Sequence, residues 1–142
     1  MEFKFLTENF YEKYENYKEV EKKKNRPYTV VYIIEYNNLL FAIPLRHNIN
    51  HRYKISTVDN KGLDLSKVLV ITDRKYIDNK KVFINDEEYK LLKNKERKIV
   101  NELQKYIKLY KRALKKPEIE RNKSLIEKSC LQYFHKELEI EK

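Results

Sequence analysis

The stretch Tyr28-Thr29-Val30-Val31-Tyr32-Ile33-Ile34-Glu35-Tyr36-Asn37-Asn38-Leu39-Leu40-Phe41-Ala42-Ile43-Pro44-Leu45 decides the fold. Tyr28 to Tyr36 is rich in β-branched and aromatic residues, as strands are. Asn37-Asn38 separates it from a second apolar run, Leu39 to Leu45, and two residues are the spacing of a tight β-hairpin. On the N-terminal side, Phe3 and Phe5 alternate with polar residues as in a short strand. Thr7 then caps a helix expected over Glu8 to Tyr17, with Phe10, Tyr14 and Tyr17 on one face. Glu19 to Asn25 reads as a charged loop.

Beyond the hairpin the pattern breaks into a polar loop from Arg46 to Lys61. A third strand is expected over Lys67 to Thr72, with short pieces at Tyr76-Ile77 and Lys81 to Ile84. Asn85 and Glu88 form a capping-box pattern that opens one long helix. Its apolar stripe is Leu92, Ile99, Leu103, Tyr106, Tyr110 and Leu114, and Pro117 ends it. A last helix is expected over about Lys123 to Leu138, with Cys130 on its apolar side. Strands first and helices last make the class α+β. With no internal repeat and no linker-like stretch, 142 residues suit one domain, 1–142.

Composition narrows the function. Apolar residues make up 41% of the chain, enough for one modest core despite 38% charge. No apolar run approaches membrane-spanning length, and Met1-Glu2-Phe3-Lys4 lacks a signal core, so a cytoplasmic protein with no membrane partner is expected. One cysteine forms no internal disulfide or zinc site and fits a reducing compartment. A single glycine, Gly62, excludes P-loops and dinucleotide fingerprints. The 12 tyrosines against no tryptophan are equally explained by an AT-rich genome, so they carry little functional weight.

Charge is informative. With 32 Lys+Arg and 22 Asp+Glu the formal net charge is +10. Between Lys90 and Lys123 there are 13 basic and 4 acidic residues, a net of +9, which leaves 19 basic against 18 acidic elsewhere. The surplus includes Lys105, Lys108, Lys111, Arg112, Lys115 and Lys116. Such a face attracts a polyanion, although a merely solvated helix face has the same composition.

His47 and His51 share one loop with Arg46, Arg52, Tyr53 and Lys54. No carboxylate or cysteine adjoins them in sequence, and neighbouring cations repel a divalent ion, so a metal centre is not expected. No serine occupies a strand-to-helix elbow. Metal-free RNA cleavage fits better. It needs a base for the 2′-OH, an acid for the leaving 5′-oxygen, and cations for charge on the phosphorane. Histidine suits the first two tasks and arginine the third. A phosphate-binding loop, or plain surface, uses the same residues.

The string Arg26-Pro27-Tyr28, the hairpin, Phe41-Ala42-Ile43-Pro44-Leu45-Arg46-His47-Asn48-Ile49-Asn50-His51-Arg52-Tyr53, and Lys61-Gly62-Leu63-Asp64-Leu65-Ser66-Lys67 followed by a Val/Ile strand resembles type III toxin–antitoxin toxins. These are the ToxN, CptN and TenpN endoribonucleases, and the likeness is closest to TenpN. It runs from about Tyr28 to Leu114. The resemblance implies a strongly bent antiparallel sheet of the MazF/Kid kind. It also implies a sequence-selective, metal-independent and cofactor-free endoribonuclease leaving 2′,3′-cyclic phosphate and 5′-OH ends. Its inhibitor would be a small pseudoknotted antitoxin RNA cut from a repeat transcript, with RNA bridging toxin protomers. Cellular or phage RNA would be the substrate, in abortive infection. Where ToxN-like members place Thr and Ser followed by Lys, this chain has Arg46 and His47, with His51 and Lys54 further on. The departure replaces a hydroxyl with a histidine.

The expected catalytic set is therefore His47, Arg46, His51, Lys54 and Tyr28, with His47 the more essential of the two histidines. Arg26, Arg52, Tyr53, Lys105, Lys108, Lys111, Arg112, Lys115 and Lys116 would grip RNA. Asp64 is read as structural before it is read as orienting a histidine, His135 as packed or surface, and Tyr106 and Tyr110 as core. A non-catalytic basic RNA- or DNA-binding module is the alternative.

Overall fold

The computed structural model describes residues 2–20 and 29–140. Among these residues six strands, β1 (Glu2–Lys4), β2 (Val31–Tyr36), β3 (Leu39–Arg46), β4 (Lys54–Ser56), β5 (Gly62–Asp64) and β6 (Leu69–Ile71), form one antiparallel sheet. Four helices accompany them: α1 (Glu8–Lys13), α2 (Asp86–Leu92), α3 (Glu96–Lys115) and α4 (Glu120–Lys128). The class is α+β.

The hairpin forms as its sequence requires. Asn37 and Asn38 take φ of 55° and 64°, the paired left-handed conformation of a tight two-residue turn, and β2 and β3 pair from Tyr36↔Leu39 to Val31↔Pro44. Val31 to Ile34 and Phe41 to Ile43 are all buried, so both faces of this part of the sheet are covered. A strand buried on both faces shows a continuous apolar run in place of alternation.

β3 also positions the candidate site, because its other edge changes partner midway. Leu40 to Ala42 pair with β6, whereas Leu45 and Arg46 pair with β5. Between those two partners the chain makes a 3₁₀ turn at Leu65–Lys67. The change falls opposite Pro44. Leu45 donates its backbone N–H to Val30 O on the β2 side at 2.9 Å, so alternation aims the Pro44 nitrogen at the opposite edge. That nitrogen has no hydrogen to offer, so the partner strand departs there without leaving a backbone donor unpaired. Asp64 and Ser66 are buried where the chain crosses from β5 to β6.

The other elements differ from the sequence reading in bounds. α1 is capped by the Thr7 side chain as expected but ends at Lys13. The helix opened by Asn85 is two helices: α2 stops at Leu92, Asn94 takes a left-handed φ of 62°, and α3 begins at Glu96. The last helix starts earlier, at Glu120, and ends at Lys128. Ser129 is extended and its hydroxyl caps a 3₁₀ turn, Cys130–Tyr133. Lys67 lies in the earlier 3₁₀ turn, so the third strand is β6 alone. Tyr76 ends another 3₁₀ turn, Ile77 makes one bridge to Leu6, and residues 81–84 form no strand. The expected polar loop contains β4, and a further short strand, β5, follows it directly at Gly62–Asp64.

One apolar cluster holds residues from Leu6 to Leu138, including Ile99, Leu103, Tyr106 and Tyr110 of α3. The N-terminal segment is fastened to the C-terminal one. Tyr17 stacks on Tyr133 at 4.6 Å, and the Lys67 ammonium joins Glu19 Oε1 (2.6 Å) to Lys128 O (2.9 Å). Cys130 is buried, with its thiol 3.2 Å from Glu19 O. Among the described residues no helix is long and apolar enough to cross a membrane.

Candidate functional site

Arg46 ends β3, opposite Gly62 on β5. Asp64 lies two residues beyond Gly62, on the same face of β5, and is therefore Arg46's diagonal neighbour. Its buried carboxylate meets the guanidinium at 2.7 Å between Arg46 Nη1 and Asp64 Oδ2. Asp64 Oδ1 accepts from the Ser66 hydroxyl (2.6 Å) and the Ser66 backbone N–H (3.0 Å). It also lies 3.1 Å from His51 Nε2.

The His51 tautomer follows from its partners. The Tyr53 backbone N–H donates to His51 Nδ1 at 3.0 Å, and a backbone amide has no other role to play. Nδ1 is therefore bare, and the proton sits on Nε2, whose hydrogen-bond partner is Ser66 Oγ at 3.2 Å, with Asp64 Oδ1 beside it at 3.1 Å. Both ring nitrogens are engaged. A hydrolase triad is a different arrangement, since it places carboxylate and nucleophile on opposite nitrogens. Here Asp64 and Ser66 share one, and Ser66 is buried.

Lys54 is on β4, not in a loop, and its ammonium donates to Ile49 O at 2.8 Å, which braces residues 49–54. Ile49 is buried and its N–H donates to Asn60 O at 3.2 Å. Between Arg46 at the end of β3 and the anchored Ile49 the chain turns at Asn48, with φ of 53°, and leaves His47 exposed. His47 lines an open groove of about 360 Å³ together with Arg46, Lys61, Phe83, Asn85 and Glu88. Glu88 is buried and accepts from the Thr57 hydroxyl at 2.8 Å.

Arg52 lies over the half-buried Tyr53 ring at 5.4 Å, and that ring meets Tyr106 of α3 edge-on at 5.7 Å. Lys105, Lys108, Lys111, Arg112, Lys115 and Lys116 are all exposed. Lys105, Lys108, Arg112 and Lys115 follow i, i+3, i+7, i+10 spacing, on the face of α3 opposite buried Tyr106 and Tyr110. None of them lines the groove of His47. His135 is packed, with Nε2 at 2.6 Å from the Tyr110 hydroxyl. Arg26 and Tyr28 lie outside the described residues, as does most of the expected charged loop. Among the described residues, no three His, Cys, Asp or Glu side chains gather as a metal ion requires.

The sequence therefore brings Arg46 and His47 into one groove and His51 to the carboxylate behind it. Sequence reasoning undervalued Asp64 and passed over Ser66, Lys61 and Phe83. The signal for Asp64 was a carboxylate inside an apolar stretch, Leu63-Asp64-Leu65, where burial demands a partner.

Residues 4–142 match a family described as a protein of unknown function, DUF2972. The chain belongs to the DUF2972 family. No curated protein and no solved structure matches it. In this DUF2972 member, an ion pair behind the groove sets a guanidinium beside an exposed imidazole at the end of a central strand.

Proposed function

We propose that the protein is a metal-independent endoribonuclease of the type III toxin kind, cutting RNA to 2′,3′-cyclic phosphate and 5′-OH ends. The observation that carries this reading is the groove in which exposed His47 lies beside Arg46, itself held from behind by buried Asp64. In the reaction the 2′-oxygen attacks phosphorus, the 2′-OH proton passes to a base, the P–O5′ bond breaks, and an acid protonates the leaving oxygen. His47 supplies one of these two proton transfers. Arg46 faces the charge gathering on the non-bridging oxygens, and its pre-set orientation lowers the reorganisation required. Lys61 adds a second cation in the same groove. His51 and Asp64 act as positioning residues through Arg46, and Lys54 holds the loop.

The resemblance in the hairpin and the Pro-Leu-Arg-His segment supports the same reading, and with it a sheet of the MazF/Kid kind. The exposed cations of α3 and Lys116 would bind RNA at a distance from the groove, and Arg26, Arg52 and Tyr53 nearer to it. A pseudoknotted antitoxin RNA bridging protomers, cellular or phage RNA as substrate, and a cytoplasmic setting belong to the same proposal.

The test is incubation of purified protein with mixed cellular RNA in EDTA, then mapping of the new ends. Discrete cuts with cyclic phosphate and 5′-OH ends are expected, with rates falling about 10²- to 10⁴-fold in His47→Ala. The exposed position of His47 leaves the fold of that variant intact. Cutting by His47→Ala at the wild-type rate would overturn the assignment. RNA left whole by protein unfolded, stripped of bound RNA and refolded would move the reading to a non-catalytic RNA-binding module.

A further inference from the structure

Phe83 is 80% exposed, the most exposed of the large apolar side chains described. A single exposed phenylalanine needs no explanation, but the position of this one does. Phe83 lines the groove of Arg46, His47 and Lys61, and it also lines a second, adjoining groove of about 620 Å³ with Phe3, Tyr89, Lys80 and Lys81. The Lys81 ammonium lies 5.3 Å from the ring centroid. Tyr89, on α2, is also exposed. The segment carrying Phe83 is held at both ends. Asp78 N–H donates to Phe5 O at 2.8 Å, and the Asn85 side chain caps α2. The ring is thus presented to solvent at a set place, between a candidate scissile-phosphate site and a groove edged with lysines. Two carboxylates also border that second groove, Glu2 and Asp86, and Glu2 is paired with Lys4 at 3.5 Å.

We propose that Phe83 is the stacking platform for a nucleobase of single-stranded RNA next to the phosphate held by Arg46 and His47. The strand then continues past Lys81 and Lys80 toward Phe3 and Tyr89. A base has a π-face whatever its identity, so the ring grips unpaired nucleotides without reading sequence. Duplex RNA, whose bases are already stacked, cannot use it. This subsite rests on the ribonuclease reading for its place beside the reacting phosphate, but not for its binding.

The chain has no tryptophan, so Phe83→Trp places a lone tryptophan at the site, excited separately from the 12 tyrosines. Refolded, RNA-free protein is titrated with a 2′-O-methyl oligonucleotide, which binds but cannot be cut, and in parallel with a duplex and with inorganic polyphosphate. Saturable quenching by the single strand alone is expected. Phe83→Ala should weaken binding of that oligonucleotide about 5- to 100-fold by anisotropy, and Phe83→Tyr should restore it. No quenching, equal quenching by polyphosphate, or wild-type affinity in Phe83→Ala would overturn the proposal. Quenching in a protein that cuts no RNA keeps the stacking site and removes the nuclease. Cutting with an unquenched tryptophan does the reverse.

Discussion

At Asp64 the two carboxylate oxygens have separate partners: Oδ2 takes the Arg46 guanidinium, and Oδ1 takes Ser66 and His51. Asp64→Asn keeps the shape but removes the charge that holds Arg46, leaving buried polar groups mismatched. It should cost about 2–3 kcal/mol of stability. A purely structural role would stop there. A positioning role also predicts kcat falling about 10²-fold with KM little changed, read at a temperature where the variant is fully folded. An unchanged kcat would place Arg46 outside the chemistry. Gly62 is set by a close approach instead: a Cβ there would stand 2.4 Å from Ile55 O, the backbone of the neighbouring strand. Gly62→Ala must push β4 and β5 apart, and about 1–3 kcal/mol of destabilisation is expected in denaturant melts. Stability equal to wild type would show that β4 yields freely.

Among the elements, α3 carries buried tyrosines that make its packing sensitive to alkali. Burial pushes the Tyr106 and Tyr110 hydroxyls well above the usual phenol range, although Tyr106 donates to Ser129 Oγ at 2.8 Å. In the unfolded chain both lose their protons near pH 10, roughly the free phenol value. Above that pH the unfolded state binds fewer protons than the folded one, so stability falls as pH rises. Below it, the two groups have no effect. Each tyrosine contributes a slope of up to about 1.4 kcal/mol per pH unit. Tyr106→Phe should lower stability at pH 8 by the lost hydrogen bond, about 1 kcal/mol, yet flatten the decline above pH 10. Thermal melts from pH 8 to 11 check both, and an unchanged alkaline slope would mean that Tyr106 ionises freely in the fold. The broken helices at this scale also show what local pattern conceals. Apolar spacing continues from Leu92 to Ile99 across the left-handed Asn94, and both residues meet the core although the helix between them is broken.

For the whole molecule the surplus charge matters most. If the exposed face of α3 binds an RNA backbone, each phosphate it neutralises releases counterions. Replacing Lys105, Lys108, Arg112 and Lys115 together by Gln should then reduce the slope of log affinity against log salt. For single strands the reduction is up to about 0.7 for each phosphate left without its cation. Cleavage of a saturating short substrate should hold, because none of these cations lines the groove of His47. An unchanged salt slope would make α3 a solvated face only.

The α+β class, the β2–β3 hairpin with its asparagine turn, the caps at Thr7 and Asn85, and the buried stripe of α3 were legible in the chain, since each depends on local spacing and on turn or cap chemistry. β4 and β5 were not. Three residues are too few to show alternation, and both exist because β3 offers an open edge past Pro44. The same holds for the site. Arg46 and His47 could be picked out as a cation and an imidazole at a strand end, but their setting is non-local. Asp64 reaches Arg46 only through strand register, the His51 proton is fixed by a backbone amide on one nitrogen and the Ser66 hydroxyl on the other, and Phe83 joins the groove from a segment outside the histidine loop. Residue type and spacing determine which groups are present. Pairing across the sheet decides which of them meet, because register sets side-chain distances that no sequence interval contains.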